Sequence, residues 1–388
     1  MRAGPSQEEI RRQNLGALLR FVHVRGQISR AELTSELGLN RSTIGALTAE
    51  LAAVGLVSEE APRETGRAGR PSLVVRASSE QVYAYAASIG VDRISAARIG
   101  LGGVIMDRRE AERPADDVVT PLRDFIKSMQ SNVDADARCI GAGVAVCGLV
   151  RREDGVVRLG PHLGWLDEPV GAALREELPK LLPSVVVGNV ADLSALAEHT
   201  RGAAVGCSNI LYVYGDVGIG AGIIAGGRRV TGHGGYGGEV GHMVVNPTGR
   251  ACGCGSRGCW ETEIGEESLL RHAGRTGQRG RDAVLAVVDA AARGDAEAQA
   301  AVRHVGDWLG FGVANLVNIF NPELVIFGGT LRDVYLASAA QVRSRLNHNA
   351  LAACREHVRL RTPQLGDDAA LLGAAELAFE QLLADPLA

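Results

Sequence analysis

Leu15, Leu18, Leu19 and Val22 fall on one face at helical spacing in "RRQNLGALLRFVHVRG", and Gly26 closes that run. In the next stretch, "QISRAELTSELGLNRSTIGALTAELAAVGLV", Ser29 followed by Glu32 predicts a capping box. A short helix through Leu37 ends at a turn on Gly38. Asn40 then caps a second helix with an apolar stripe of Ile44, Leu47, Leu51 and Val54, stopping at Gly55. Helix, short glycine turn, helix is the helix-turn-helix pattern. "LVSEEAPRETGRAGRPSLVVRA" predicts two short strands joined by a long turn, a wing. From about residue 80 short apolar runs alternate with helical stretches. "CIGAGVAVCGLV" (139–150), "SVVVGNV" (184–190), "NILYVYGDVGIGAGIIAGG" (209–227) and "ELVIFGG" (323–329) have the texture of strands. "DLSALAEHTRGAA" and "DWLGFGVANLVNIFNP" have that of helices. The alternation predicts an α/β body. The division expected is a winged helix-turn-helix over residues 1–77 and the body over 78–388.

Charge sharpens the reading of the first part. Residues 1–77 hold eleven Arg and eight Glu with no Lys or Asp, a balance of +3, so the remainder carries −7 of the total −4. A basic module on an acidic body points to a polyanion partner for the module alone. The second helix presents Arg41, Ser42, Thr43 and Ala46 near its exposed N-terminal end, where side chains reach base edges and phosphates in a major groove. Arg67 and Arg70, set among Gly and Pro at the wing tip, suit a narrow minor groove or a phosphate track. The partner expected is operator double-stranded DNA. Reading two half-sites calls for a homodimer, with a tetramer left open.

No apolar run approaches the ~18 residues of a membrane span, and "MRAGPSQEEIRRQN" lacks the apolar core of a secretory signal. A cytoplasmic protein without membrane partners is expected. Seven Cys is an odd number, and three crowd into one octapeptide. That argues against a disulfide framework and for a reducing compartment with one metal site. Cys139, Cys147, Cys207 and Cys354 lie in apolar or helical contexts and read as small buried residues. In "HMVVNPTGRACGCGSRGC" (242–259), His242, Cys252, Cys254 and Cys259 make a Cys₃His set, the composition of a closed tetrahedral zinc site. Such a zinc, one per chain, is structural, since no position stays open for water or substrate. The alternative is three clustered free thiols. Gly253, Gly255 and Gly258 would let a short loop fold around one ion. Residues 215–241 hold twelve Gly in twenty-seven, which marks tight turns and close approach, or a set of hairpin turns.

"GGEVGHMVVNPTGRACGCGSRGCWE", preceded by "GIGAGIIAGGRRVTGHGG" and followed by "LVNIFNPELVIFGG", resembles the ROK family of sugar kinases and sugar-responsive repressors. The resemblance implies an actin-like, ribonuclease H-like body of two α/β lobes around a cleft. It also implies that the Glu and His of Glu-x-Gly-His, and the Glu after the last cysteine, bind sugar hydroxyls: here Glu239, His242 and Glu261. Ionised carboxylates accepting charge-assisted hydrogen bonds suit a polyol. The "HLGW" of 162–165 resembles the family's loop under the sugar, implicating Gly164 and Trp165. The family's kinases carry an Asn-Asp pair after a strand, the Asp being the base. Here Asn189 is kept as a sugar contact, the next residue is Val190, and Asp192 comes two further on. The first phosphate loop reads "GVDRISAARIG", with Ile94 and Ser95 in place of glycines, and the second has Asp216 and Val217 where Gly-Thr is usual. The expectation is a sugar-responsive transcriptional repressor, not an enzyme, released from its operator by a sugar or sugar phosphate. The alternatives are an ATP-dependent hexose or amino-sugar kinase with a DNA-binding appendage, and a repressor controlled by protein sequestration.

Overall fold

The computed structural model describes residues 6–61 and 72–388. Three helices come first: α1 (Gln7–Arg25), then β1 (Gln27–Ser29), α2 (Arg30–Leu37) and α3 (Arg41–Ala53), followed by β2 (Val57–Glu60) and β3 (Val74–Ala77). The three strands pair antiparallel in the order β1-β3-β2. Each helix starts and stops for a chemical reason. Ser29 and Glu32 form the capping box of α2, Gly38 takes a left-handed φ of 63°, and the Asn40 side chain accepts from Thr43 N–H to cap α3. Leu15, Leu18, Leu19, Val22, Ile44, Leu47 and Leu51 are buried as their spacing predicts. Val54 is not: α3 ends one residue earlier, and Val54 turns out to solvent at 44% exposure.

The body contains one sheet topology twice. In the first lobe, β4 (Val82–Ile89), β5 (Arg93–Gly100) and β6 (Val104–Glu112) form a meander. After α4 (Val119–Gln130), β7 (Arg138–Val146) joins β4 in parallel. A small sheet of β8 (Leu149–Val150), β9 (Val157–Gly160) and β10 (Trp165–Glu168), then α5 (Val170–Glu177), lead to β11 (Val185–Asn189), parallel to β7. The order is β6-β5-β4-β7-β11. The apolar run over 139–150 is thus broken at Cys147–Gly148, which turns the chain from β7 into β8.

Helix α6 (Val190–Arg201) carries the chain to the second lobe, where β12 (Ile210–Gly215), β13 (Ile219–Ala225) and β14 (Arg228–Arg229) make the second meander. A 3₁₀ turn (Val240–His242) and a long loop precede α7 (Trp260–Ile264), α8 (Glu266–His272), α9 (Gly280–Ala292) and α10 (Ala296–Phe320). Then come β15 (Leu324–Gly329), α11 (Leu331–Asn349), α12 (Ala352–Arg355), β16 (Arg359–Arg361) and α13 (Ala369–Ala384). The order β14-β13-β12-β15-β16 repeats that of the first lobe strand for strand. This is the two-lobed actin-like body. The helices after the fifth strand of each lobe are exchanged: α6 packs on β12 and β13, and α13 packs on β4 and β7. They lie against each other between the sheets.

All seven cysteines are free; Cys207 is buried, and Cys139, Cys147 and Cys354 are partly so. No helix among the described residues is long and apolar enough to cross a membrane.

Candidate metal centre, sugar cleft and DNA face

The loop between the 3₁₀ turn and α7 is a compact cage. Its ends are held by Trp260 N–H donating to Met243 O (2.8 Å) and Val245 N–H donating to Gly258 O (2.9 Å). Cys252 N–H donates to Ser256 O (2.9 Å), reversing the chain between the cysteines. Gly258 has φ 68°, and a Cβ there would fall 1.5 Å from Asn246 O; Gly255 has φ 91°. Gly253 departs from the sequence reading: its φ is ordinary and a Cβ would meet nothing within 4 Å. Two residues missed in the sequence anchor the cage. The Trp260 indole is fully buried and donates to Trp308 O (2.8 Å), and Glu263 accepts from Asn246 Nδ2 (2.9 Å). A tryptophan one residue past the last cysteine was the available signal.

Ligand atoms of His242, Cys252, Cys254 and Cys259 all lie within 4.8 Å of one another, the one such grouping among the described residues. Cys254 Sγ is 3.6 Å from Cys259 Sγ, and Cys252 Sγ is 3.7 Å from His242 Nδ1. A tetrahedral ion bound at about 2.3 Å to sulfur and about 2.0 Å to nitrogen requires S···S near ~3.8 Å and S···N near ~3.5 Å. The donor set therefore fits one metal ion. Burial pushes the thiols of Cys252 and Cys259 up, and a metal would have to displace their protons to bind the thiolates.

His242 faces two ways. Nδ1 belongs to the cage, and Nε2 is 3.9 Å from Glu239 Oε2. Glu261 Oε1 is 2.8 Å from Cys252 Sγ and 3.5 Å from His242 Nδ1. Glu239, His242 and Glu261 thus converge beside the cage, all part-exposed. Burial raises the Glu239 carboxyl, His242 lowers it, and Glu261 raises it further.

Asn189, expected as a sugar contact, is part-buried at the start of α6. Its Oδ1 accepts from Ala191 N–H (2.8 Å) as the cap of α6, and its Nδ2 donates to Gly148 O (2.9 Å). The two halves of the amide therefore tie the start of α6 to the turn between β7 and β8. Gly164 sits at φ 73° in the turn before β10, and Trp165 packs part-buried against the first-lobe core. Next to that turn, His162 crosses to the second lobe, where a Cβ on Gly218 would come within 2.9 Å of its Nε2. Val190 is buried in the first turn of α6. Asp192 is turned away to Arg229 (2.8 Å), which also holds Glu380 (2.7 Å). Asp216 is pushed up to about 6 by burial, Glu266 and Asp92, against a compensating Arg281.

In the N-terminal module, Arg41, Ser42 and Ala46 are exposed at the start of α3. Ser42 and Thr43 both donate their hydroxyls to Asn40 Oδ1 (2.7 and 2.9 Å), and Thr43 is half-buried. Arg67 and Arg70 lie outside the described residues.

Comparison with known proteins adds to this geometry. The model of the ROK family matches residues 84–381. The chain is 28% identical over 381 residues to a xylose repressor of Bacillus spizizenii, covering 96% of this chain and 97% of that one. It is 30% identical over 312 residues to a glucokinase of Halalkalibacterium halodurans, covering 76% of this chain and 94% of the kinase. The crystal structure of a ROK family transcriptional regulator, a homolog of the E. coli MLC protein, matches with TM-score 0.79 at 26% identity, over 97% and 98% of the two chains.

Proposed function

The chain belongs to the ROK family, and from that premise we propose that it is a sugar-responsive transcriptional repressor that binds operator DNA as a homodimer and is released by a sugar in the cleft. The observation that carries this is the handling of carboxylates at the start of α6. A kinase needs a base beside the attacking hydroxyl; here position 190 is Val, and Asp192 is committed to Arg229. Asp216, flanked by Glu266 and Asp92, would repel a γ-phosphate where a cradle must donate to it. The alignment with the xylose repressor runs through the N-terminal module, whereas the family match begins at residue 84.

Glu239, Glu261 and the Nε2 side of His242 read sugar hydroxyls on this view, with Gly164 and Trp165 beneath. Asn189, anchored through Gly148 O and the start of α6, contacts the sugar with the remaining capacity of its amide. Arg41, Ser42 and Ala46 face the major groove, with Thr43 positioned by the cap. Zinc, held by His242 Nδ1 and the three cysteine thiolates, supplies a rigid tether and no Lewis-acid chemistry, because its four positions are filled by protein. It keeps Glu261 and His242 in register. Sugar closes the lobes and reorients the two DNA modules, so their spacing no longer matches the half-sites.

The test is a thermal-shift panel of monosaccharides with and without phosphate, run beside a coupled ADP-release assay. At least one sugar should stabilise the chain, Glu239→Gln should abolish that shift, and no sugar should release ADP. Sugar-dependent ADP release would establish the kinase instead, and an unchanged shift in Glu239→Gln would refute the pocket.

A further inference from the structure

Helix α6 starts at the cleft floor and ends beneath the DNA module. Asn189 ties its first turn to Gly148 O. Its last residue, Arg201, is where four parts of the molecule meet. Nε donates to Glu376 Oε1 of α13 (2.6 Å). Nη1 donates to His23 O of α1 (3.0 Å) and to Gly102 O in the β5–β6 turn (2.9 Å). The same His23 completes the knot. Its ring is fully buried: Nδ1 accepts from Gly102 N–H (2.9 Å), and Nε2 lies against both Glu376 Oε2 (3.1 Å) and Arg201 Nη2 (2.6 Å). Burial alone would raise the Glu376 carboxyl, but His23 and Arg201 hold it below its ordinary value.

The helix between these ends has little freedom to bend or shift sideways. A Cβ on Gly222 of β13 would lie 2.3 Å from Ala191 O, and one on Gly373 of α13 would lie 1.9 Å from Leu193 O. Backbone packs on backbone along both flanks, with no side chain to cushion displacement. Twelve residues span about 18 Å, so movement of the Asn189 end is delivered to the Arg201 end.

We propose that Arg201 is the positioning residue that couples the sugar cleft to the DNA module: α6, sliding against α13 as the lobes close, changes the seat of α1 through this guanidinium. The inference rests on the sugar-sensing reading above. It is tested on the full chain with a duplex selected from a random pool by the chain itself. D-xylose, D-glucose, N-acetyl-D-glucosamine and their phosphorylated forms serve as probes. Duplex affinity is measured with and without sugar, and sugar affinity with and without duplex. The wild type should show the same coupling factor in both directions, roughly 5–150-fold. In Arg201→Met that factor should fall to within about twofold of unity, with sugar affinity of the DNA-free chain unchanged. Arg201→Lys keeps a charge for Glu376 but cannot also span both carbonyls, so it should uncouple too, and it guards against a Met variant that fails to fold. Arg12→Ala, which removes exposed contacts of α1 with Asp385 (3.7 Å) and with its own Glu8 (3.5 Å), should couple normally. A folded Arg201 variant with the wild-type factor would overturn the proposal, as would equal uncoupling in Arg12→Ala. A wild type indifferent to all three sugars and to their phosphorylated forms would instead bring down the sensing reading.

Discussion

Asp216 is a part-buried carboxyl held among like charges. Its carboxyl sits near pH 6, against an ordinary value of 3.8, because burial, Glu266 and Asp92 all disfavour its charge. A folded-state pKa raised this way makes a stabilising contribution that is complete below pH 3.8 and is lost as pH rises through about 6. At neutral pH the ionised Asp216 is therefore a liability. Asp216→Asn, of the same shape without the charge, should stabilise the chain by ~2–3 kcal/mol at pH 7.5 and leave it unchanged below about pH 4. Urea unfolding across that range checks it; a gain independent of pH would mean the charge is not the cause. The four cage ligands were legible because metal spacing is a local property of the chain. The anchoring of Asn189 was not, since its bonds to Gly148 O and the Ala191 N–H form only once the turn into α6 is built.

At the scale of elements, legibility followed burial. Leu15, Leu18, Leu19 and Val22 announced α1, but β6 is an edge strand with five of its nine residues charged, and it gives no apolar alternation. Without β6, and with β16 only three residues long, the repeated sheet order could not be seen in the sequence. Exchange of α6 and α13 between lobes is likewise a matter of long-range packing. The cage loop tests how far a glycine-rich sequence specifies an element. Gly253→Ala should leave metal content and melting temperature as they are, since its Cβ meets open space. Gly258→Ala must relieve a clash with Asn246 O at a left-handed φ, and should cost at least ~2 kcal/mol together with bound zinc. Metal analysis of the purified variants separates them; equal zinc in both would show that the loop does not depend on the cage geometry.

Taken as a whole, the molecule joins its N-terminal module to the body more firmly than a linker would. Ala77 ends the module's sheet and Val82 opens the next, yet Leu18, Leu51, Ala86, Leu371 and Phe379 belong to one apolar cluster. Gly16 lets α1 approach α13 so closely that a Cβ would stand 2.9 Å from Leu383 O. Across the same seam the His23 and Glu376 side chains are almost wholly buried and satisfied only by each other, Arg201 and Gly102. Opening that seam exposes apolar surface and leaves a carboxylate to find new partners, so the module should not open as a separate foldon. Native-state hydrogen exchange should give amides of α1 and α3 the same opening free energy as those of α13 and β4. The second lobe, whose core is a separate cluster around Trp260, Leu309 and Phe327, is free to differ. Gly16→Val should lower the shared value in all four elements together by ~1–3 kcal/mol. If α1 and α3 instead exchange at far lower free energy than α13, the module swings on a loose tether, and a rigid helix from the cleft could no longer steer it.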